Sequence, residues 1–172
     1  MYNFDKKYYL ADNIINEEVK LAEIAEKLRR GGKVIGVCTG SFDLLHPGHI
    51  THLESAKKFC DVLFVGVANY EYSILKNKLT GRPIFPAYVR AYMASRIKCV
   101  DFVFFEDGTP RLPIEILKPN VFIKGPDYSD LKDSGIIKHK KMVESVGGKI
   151  LFTSDEKIST SDLIRYIKEE IK

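Results

Sequence analysis

A chain of 172 residues, 45% of them hydrophobic and 29% charged, is long enough to bury a full core without disulfide or metal staples. Its net charge of +4 suits a small anionic substrate and is far from the basic stripe of a nucleic-acid binder, so no nucleic-acid partner is expected. The longest apolar runs are of strand length, which excludes a membrane-spanning helix, and Asp5, Lys6 and Lys7 among tyrosines do not make a signal-peptide core.

Residues 1–15 are aromatic and irregular, an arm expected to pack on the body or on a neighbouring subunit of a homodimer. Over 17–30, Val19, Leu21, Ala22, Ile24, Ala25 and Leu28 recur at helical spacing, and Gly31-Gly32 supplies the stop. The run 34–38 reads as a strand. Pro47 fits the first turn of the next helix, where its missing N–H is not needed, and Ile50, Leu53, Ala56 and Phe59 mark the inward face. The run 61–68 is apolar at nearly every position, the mark of a parallel strand covered on both faces. Residues 69–85 lack an apolar period but carry Lys76, Lys78 and Arg82, and loops of that length in compact domains tend to be functional.

Pro86 can open a third helix with Val89, Met93 and Ile97 inward, followed by a strand over 102–105 and a loop over 106–110. A short helix over 112–117 tolerates Pro113 only in its first turn. Further on come a strand over 121–123, a helix over 134–146 ending at Gly147-Gly148, and a strand over 149–153. A closing helix over 162–171 is expected to bury Leu163, Ile164, Ile167 and Ile171. Alternation at this spacing predicts a doubly wound α/β fold: a mostly parallel, five-stranded sheet with helices on both faces. Ligands of such sheets bind at the carboxyl ends of the strands, at a topological switch point. With no repeat, low-complexity tract or linker, residues 1–172 read as one domain with 1–16 as its N-terminal arm. Cys38, Cys60 and Cys99 are odd in number, widely spaced and lack a C-x-x-C, so they read as reduced core thiols of a cytoplasmic protein.

The chemistry gathers in Thr39-Gly40-Ser41-Phe42-Asp43-Leu44-Leu45-His46-Pro47-Gly48-His49, a strand end, a glycine-bearing turn and a helix start. That order is the usual layout of an anion site, and His46 and His49, three apart, share a helix face from which both rings can meet phosphate oxygens. His52 extends the series by another step, but no fourth ligand in a zinc spacing accompanies it, so no metal site is expected. Neither a Walker G-x-x-x-x-G-K-[ST] nor a G-x-G-x-x-G occurs, and Gly31-Gly32-Lys33 and Gly147-Gly148-Lys149 read as helix ends. Ser159, Thr160 and Ser161 are, by composition alone, ordinary N-cap residues.

Together, Thr39 to Asp43 and His46-Pro47-Gly48-His49 resemble the H-x-G-H signature of the cytidylyltransferase-like nucleotidyltransferases. Lys124-Gly125-Pro126-Asp127-Tyr128 resembles that superfamily's K-G-x-D-Y box and Ile158-Ser159-Thr160-Ser161 its I-S-T/S-T/S helix start, while Gly81-Arg82-Pro83, Pro86 and Arg90 match its middle segment. The likeness runs over about residues 17–172 and is nearest to the adenylyltransferase domain of ADP-heptose synthase, through Arg30-Gly31-Gly32-Lys33 and Glu106-Asp107-Gly108-Thr109-Pro110. Glycerol-3-phosphate cytidylyltransferase and archaeal FAD synthase share the Thr39 to Leu45 run and stand next. Two positions depart from the pattern. Tyr88 stands where a carboxylate often precedes the arginine, and Pro126 replaces the second glycine of the heptose enzymes' box.

The resemblance implies a Rossmann-like fold and attack by an acceptor's phosphate oxygen on the α-phosphorus of a nucleoside triphosphate, carried with Mg2+. It casts His46, His49, Lys76, Lys78 and Arg90 as catalytic contacts to the phosphates. The nucleotide would lie against Thr39, Gly40, Ser41, Phe42, Gly48, Lys124, Gly125, Asp127, Tyr128, Ser159, Thr160 and Ser161. Asp43 would orient the loop or the acceptor's hydroxyls, with Arg82 also on the acceptor side. ATP with a sugar phosphate is the favoured pair, and CTP with a polyol phosphate the alternative. A catalytically silent nucleotide-binding module is opposed by the intact histidine pair and Ser159-Thr160-Ser161.

Overall fold

The computed structural model describes residues 4–69, 82–126, 134–156 and 158–171. The apolar runs become strands because both their faces are covered. Within β2 (Ile35–Gly40), Ile35 and Val37 point into one core while Cys38 points into the other. In β3 (Val62–Ala68), Leu63, Val65 and Val67 enter the second core and Phe64 the first. A period of two in a strand buried on both sides leaves no polar positions, which is why these segments read as continuous apolar runs.

The helices divide between the two faces. Leu53 and Ala56 of α2 (Pro47–Lys57) and Ala91 and Ala94 of α3 (Ala87–Ser95) fill one core. Leu21 and Ala25 of α1 (Glu18–Arg30), Ile114 of a short π-helix (Arg111–Ile116) and Val143 of α4 (Ser134–Ser145) fill the other. Helix α1 stops where expected: Gly32 has a φ of 70°, a left-handed conformation that glycine adopts without a Cβ clash.

All six strands are parallel, in the order β1-β4-β3-β2-β5-β6, with β1 at Ile14–Ile15, β4 at Phe102–Glu106, β5 at Val121–Lys124 and β6 at Lys149–Phe152. From β2 the chain moves outward through β3 to β4, then returns to place β5 on the other side of β2. The order reverses between β2 and β5, and a crevice opens above their carboxyl ends. Cys38 pairs with Ile123, so Thr39 and Lys124 emerge side by side at the top of the sheet.

The sequence reading differs from the structure in several places. The sheet has six strands, not five, because Ile14–Ile15 of the arm pairs with Val103 and Phe104. Two residues are too few to show a period, and only an existing sheet edge makes them a strand. The short helix begins one residue earlier than expected and is π-wound. Val19 and Phe59 point outward, 70% and 42% exposed. Ile167 of α5 (Thr160–Glu170) and Ile171 just after it do the same, at 52% and 61%. That helix has a strong apolar stripe, but among the described residues the body covers only the part near Leu163 and Ile164.

Candidate active site

A cavity of about 290 Å3 lies at the switch point. Its walls come from the loop after β2 running into the start of α2, from Arg82, from the end of β5, and from the segment between β6 and α5, so four separated stretches of sequence meet there. Thr39, Gly40, Ser41, Phe42, Gly48, His46 and His49 line it, as do Arg82, Lys124, Gly125, Ser159, Thr160 and Ser161. Those assignments therefore converge in space. Lys76, Lys78, Asp127 and Tyr128 lie outside the described residues.

The two histidines stack, with ring centroids 3.7 Å apart and planes 24° apart, and the Phe42 ring leans on His49 at 5.4 Å. His46 is the N-cap residue of α2, and its backbone N–H donates to Nδ1 of His49 at a long 3.4 Å. Among the described residues, neither ring nitrogen of the buried His46 nor Oγ of Ser41 has a hydrogen-bond partner. Orphaned polar atoms cost free energy and are uncommon in folded proteins, so their gathering around one helix start marks a place shaped for added donors and acceptors. Burial lowers the pKa of His46, reinforced by the Arg82 charge, and lowers that of His49 to about 3, with His46, His52 and Arg82 adding to the effect and Asp43 opposing it. Both imidazoles are therefore neutral near pH 7 and each carries one N–H.

Gly48 is required by a close approach. A Cβ there would sit 2.9 Å from Cβ of Ile158 and 3.2 Å from the His46 ring. Its absence lets the start of α2 press against the segment leading into α5, which brings two helix N-termini to the same cavity. At the second of these, Oγ of Ser159 accepts from the N–H of Asp162 at 3.1 Å, and Oγ1 of the buried Thr160 donates to the Asp43 carbonyl at 2.9 Å. Nζ of Lys124, buried beside the Phe122 ring, donates to Oγ1 of Thr39 at 3.1 Å across the β2–β5 junction.

Two assignments move. Asp43 does not line the cavity: its side chain is fully buried and accepts from the backbone N–H groups of Ile84 and Phe85 and from Nε of Arg82. Of the two roles given to it, orienting the loop is the one its position allows. Arg90 is placed behind the loop instead of at the phosphates. It is wholly buried and donates to the carbonyls of Phe85 and Ser41. Its Nη2 has no partner, and burial lowers its pKa to about 10 against the pull of Asp43. Arg82 reaches the cavity rim and joins Asp43 at 3.2 Å to Oγ of Ser161 at 3.1 Å.

Five lining residues had no site role in the sequence: His52, Pro126, Asp155, Glu156 and Ile158. His52, one turn along α2 from His49, meets Oγ1 of Thr153 at 2.9 Å. Asp155 and Glu156 follow β6, and Oδ1 of Asp155 accepts from Ser55 at 2.7 Å while its Oδ2 is buried without a partner. The signal that could have found Asp155 and Glu156 is position: they follow the carboxyl end of β6, the strand next to β5. Among the described residues no group of three or more His, Cys, Asp or Glu side chains could hold a metal ion. None of the described helices is long and apolar enough to cross a membrane.

A family model described as cytidylyltransferase-like matches residues 37–166, the stretch that builds the cavity. The chain is 40% identical over 136 residues to the bifunctional protein HldE of a Nitratiruptor species, covering 77% of this chain and 29% of that protein. Against the bifunctional protein HldE of Aliarcobacter butzleri it is 35% identical over 179 residues, 100% of this chain and 35% of the other. The chain thus spans about a third of the length of these curated relatives. Among solved structures it is similar to the lipopolysaccharide core biosynthesis protein from Thermoplasma volcanium, with a TM-score of 0.61 and 29% identity over 73% of this chain and 100% of that one. Pantoate-beta-alanine ligase from Francisella tularensis shares the fold alone, at a TM-score of 0.54 and 16% identity, over 92% of this chain and 77% of the other.

Proposed function

The chain belongs to the cytidylyltransferase-like family of nucleotidyltransferases, and on that premise we propose that it transfers an adenylyl group from ATP to a sugar phosphate such as heptose 1-phosphate, releasing pyrophosphate. The observation that carries the reading is the start of α2, where the stacked neutral histidines face the start of α5 across one cavity at the switch point. The similarity to HldE proteins and to a lipopolysaccharide core biosynthesis protein favours a sugar-phosphate acceptor.

In this reaction a phosphate oxygen of the acceptor attacks the α-phosphorus, and the bond to the β-phosphate oxygen breaks. Charge builds on the equatorial oxygens and on the leaving pyrophosphate, so the protein's task is positioning and electrostatic stabilisation. The N–H groups of His46 and His49 would donate to the α- and β-phosphate oxygens, and anion binding would draw both imidazoles toward the protonated form. Arg82 would exchange its contact with Ser161 for a phosphate oxygen. The amides at the start of α5 and the hydroxyls of Ser159 and Ser161 would hold the outer phosphates. Lys124 and Gly125, at the end of β5, would meet the nucleoside. Mg2+ would come in with the triphosphate and help to neutralise the charge on the leaving pyrophosphate, while the chain's own residues hold the phosphates.

The test is pyrophosphate release from ATP or CTP offered against heptose 1-phosphate, other sugar phosphates and glycerol 3-phosphate. Turnover of ATP with a sugar 1-phosphate supports the reading. Turnover confined to CTP and a polyol phosphate replaces it with the cytidylyltransferase alternative, and nucleotide binding without turnover on any acceptor sinks both.

A further inference from the structure

The loop joining β2 to α2 holds two non-glycine residues at positive φ, Phe42 at 49° and Leu44 at 46°. Such conformations persist only where the surroundings over-determine them. The loop is held from outside by bonds to the Ser41 carbonyl and to both the carboxylate and carbonyl of Asp43. Among the described residues, every donor apart from the Thr160 hydroxyl comes from the segment 82–90. Phe85 is its node: its N–H binds Asp43 and its carbonyl accepts Nε of Arg90, which in turn holds Ser41.

Behind that node lies the N-terminal arm. The Phe4 ring meets Phe85 edge-on at 5.6 Å and 79°, and the Tyr88 hydroxyl donates to the Phe4 carbonyl at 2.6 Å. Tyr9 packs against Tyr88 and Tyr92, and Arg96 donates to the Leu10 carbonyl at 3.1 Å. At its far end the arm is fixed in the sheet through β1 and through Asn13, whose amide donates to the carbonyls of Ser95 and Asp101. It is a strap anchored at the sheet edge and closed over Phe85 by aromatic contact. Tyr88, the position that departs from the carboxylate of the resembling proteins, is here the residue that fastens it.

We propose that Phe4 and Tyr88 are positioning residues for the nucleotide site: they fix Phe85, and Phe85 transmits that order through Asp43 and Arg90 to the loop carrying Ser41, Phe42 and His46. The proposal rests on the nucleotidyltransferase reading for its kinetic consequence but not for its structural one. Phe4 is half-buried and β1 is untouched by its truncation, so the fold survives the test.

Phe4→Ala is expected to lower kcat about five- to tenfold while KM for both substrates stays within about twofold, because a loosened loop degrades alignment more than binding. Phe4→Tyr keeps the ring and restores kcat, and Tyr88→Phe, losing its hydrogen bond to the Phe4 carbonyl, lowers it about two- to threefold. Independently of turnover, Phe4→Ala is expected to speed hydrogen exchange at the Ile84 and Phe85 amides by about tenfold or more. Unchanged protection at those amides overturns the proposal whatever the activity. An unchanged kcat, or a loss that only follows the unfolded fraction, overturns it in an active enzyme. Wild-type protein without turnover defeats the functional reading alone, since the exchange measurement still decides this one.

Discussion

Two helices begin at the cavity, and they begin differently. Helix α5 is capped by its own side chain, Oγ of Ser159 accepting from the N–H of Asp162, and a hydroxyl from its first turn is tied to Asp43. At the start of α2 the N-cap residue is His46, whose ring nitrogens have no partner, beside the unpartnered Oγ of Ser41. The first end satisfies itself and contributes to folding whether or not a ligand is present. At the second, folding stability has been forgone so that donors stand ready for oxygens the chain does not supply. The contrast divides the site into a part that stabilises and a part that reacts.

Asp43 joins the two, so its removal has the largest effect. Asp43→Ala leaves the Arg82 charge unpaired and two backbone N–H groups without their acceptor. The expected loss is about 3–5 kcal/mol of unfolding free energy, read from denaturant titration. A loss near zero would mean that water replaces the carboxylate and that the bracket between the helices is dispensable. Next comes His49→Ala, which should lower turnover by about 10²–10³ and leave the unfolding midpoint almost unchanged. If instead the midpoint falls with the activity, the α2 start is structural after all and the division fails.

Much of this was legible in the sequence, for a physical reason. A sheet covered on both faces writes itself as apolar runs, and the H-x-G-H and serine-rich stretches lie where the chain leaves the sheet for a helix. What was not legible depends on neighbours. Ile14–Ile15 is a strand only because Val103 and Phe104 offer an edge. Ile167 and Ile171 have the spacing of a buried face, yet periodicity does not say whether anything lies opposite. The resemblance cast Arg90 as a contact to the phosphates and Asp43 as orienting either the loop or the acceptor's hydroxyls. The backbone groups that make their burial tolerable, the amides of Ile84 and Phe85 and the carbonyls of Ser41 and Phe85, carry no signal in side-chain identity.

Ser159→Ala sharpens the contrast from the other side. Losing an N-cap hydroxyl costs about 1 kcal/mol in stability, so the unfolding midpoint should fall where that of the His49 variant does not. Turnover should drop less than for His49, because the backbone amides at the start of α5 remain.

The smallest effect is in the pH dependence of the unliganded protein. His49 faces the Phe42 ring, His46, His52, Asp43 and Arg82, and with its pKa lowered to about 3 it stays neutral in the native state where an unfolded histidine takes up a proton. Below about pH 6.5 the unfolded chain therefore binds more protons than the folded one, and stability falls as the pH is lowered from there toward 3. His46 acts in the same direction. Between about pH 7.5 and 6 the slope is shallow, and a His49→Asn variant should flatten part of it in denaturant titrations at stepped pH. At the capped end of α5 Ser159 donates to the Asp162 carboxylate and not to a histidine, so between about pH 7.5 and 6 Ser159→Ala should shift the curve down without changing its slope. A Ser159 variant that altered the slope, or a His49 variant that did not, would show that the two helix starts are not separate in the way their hydrogen bonds imply.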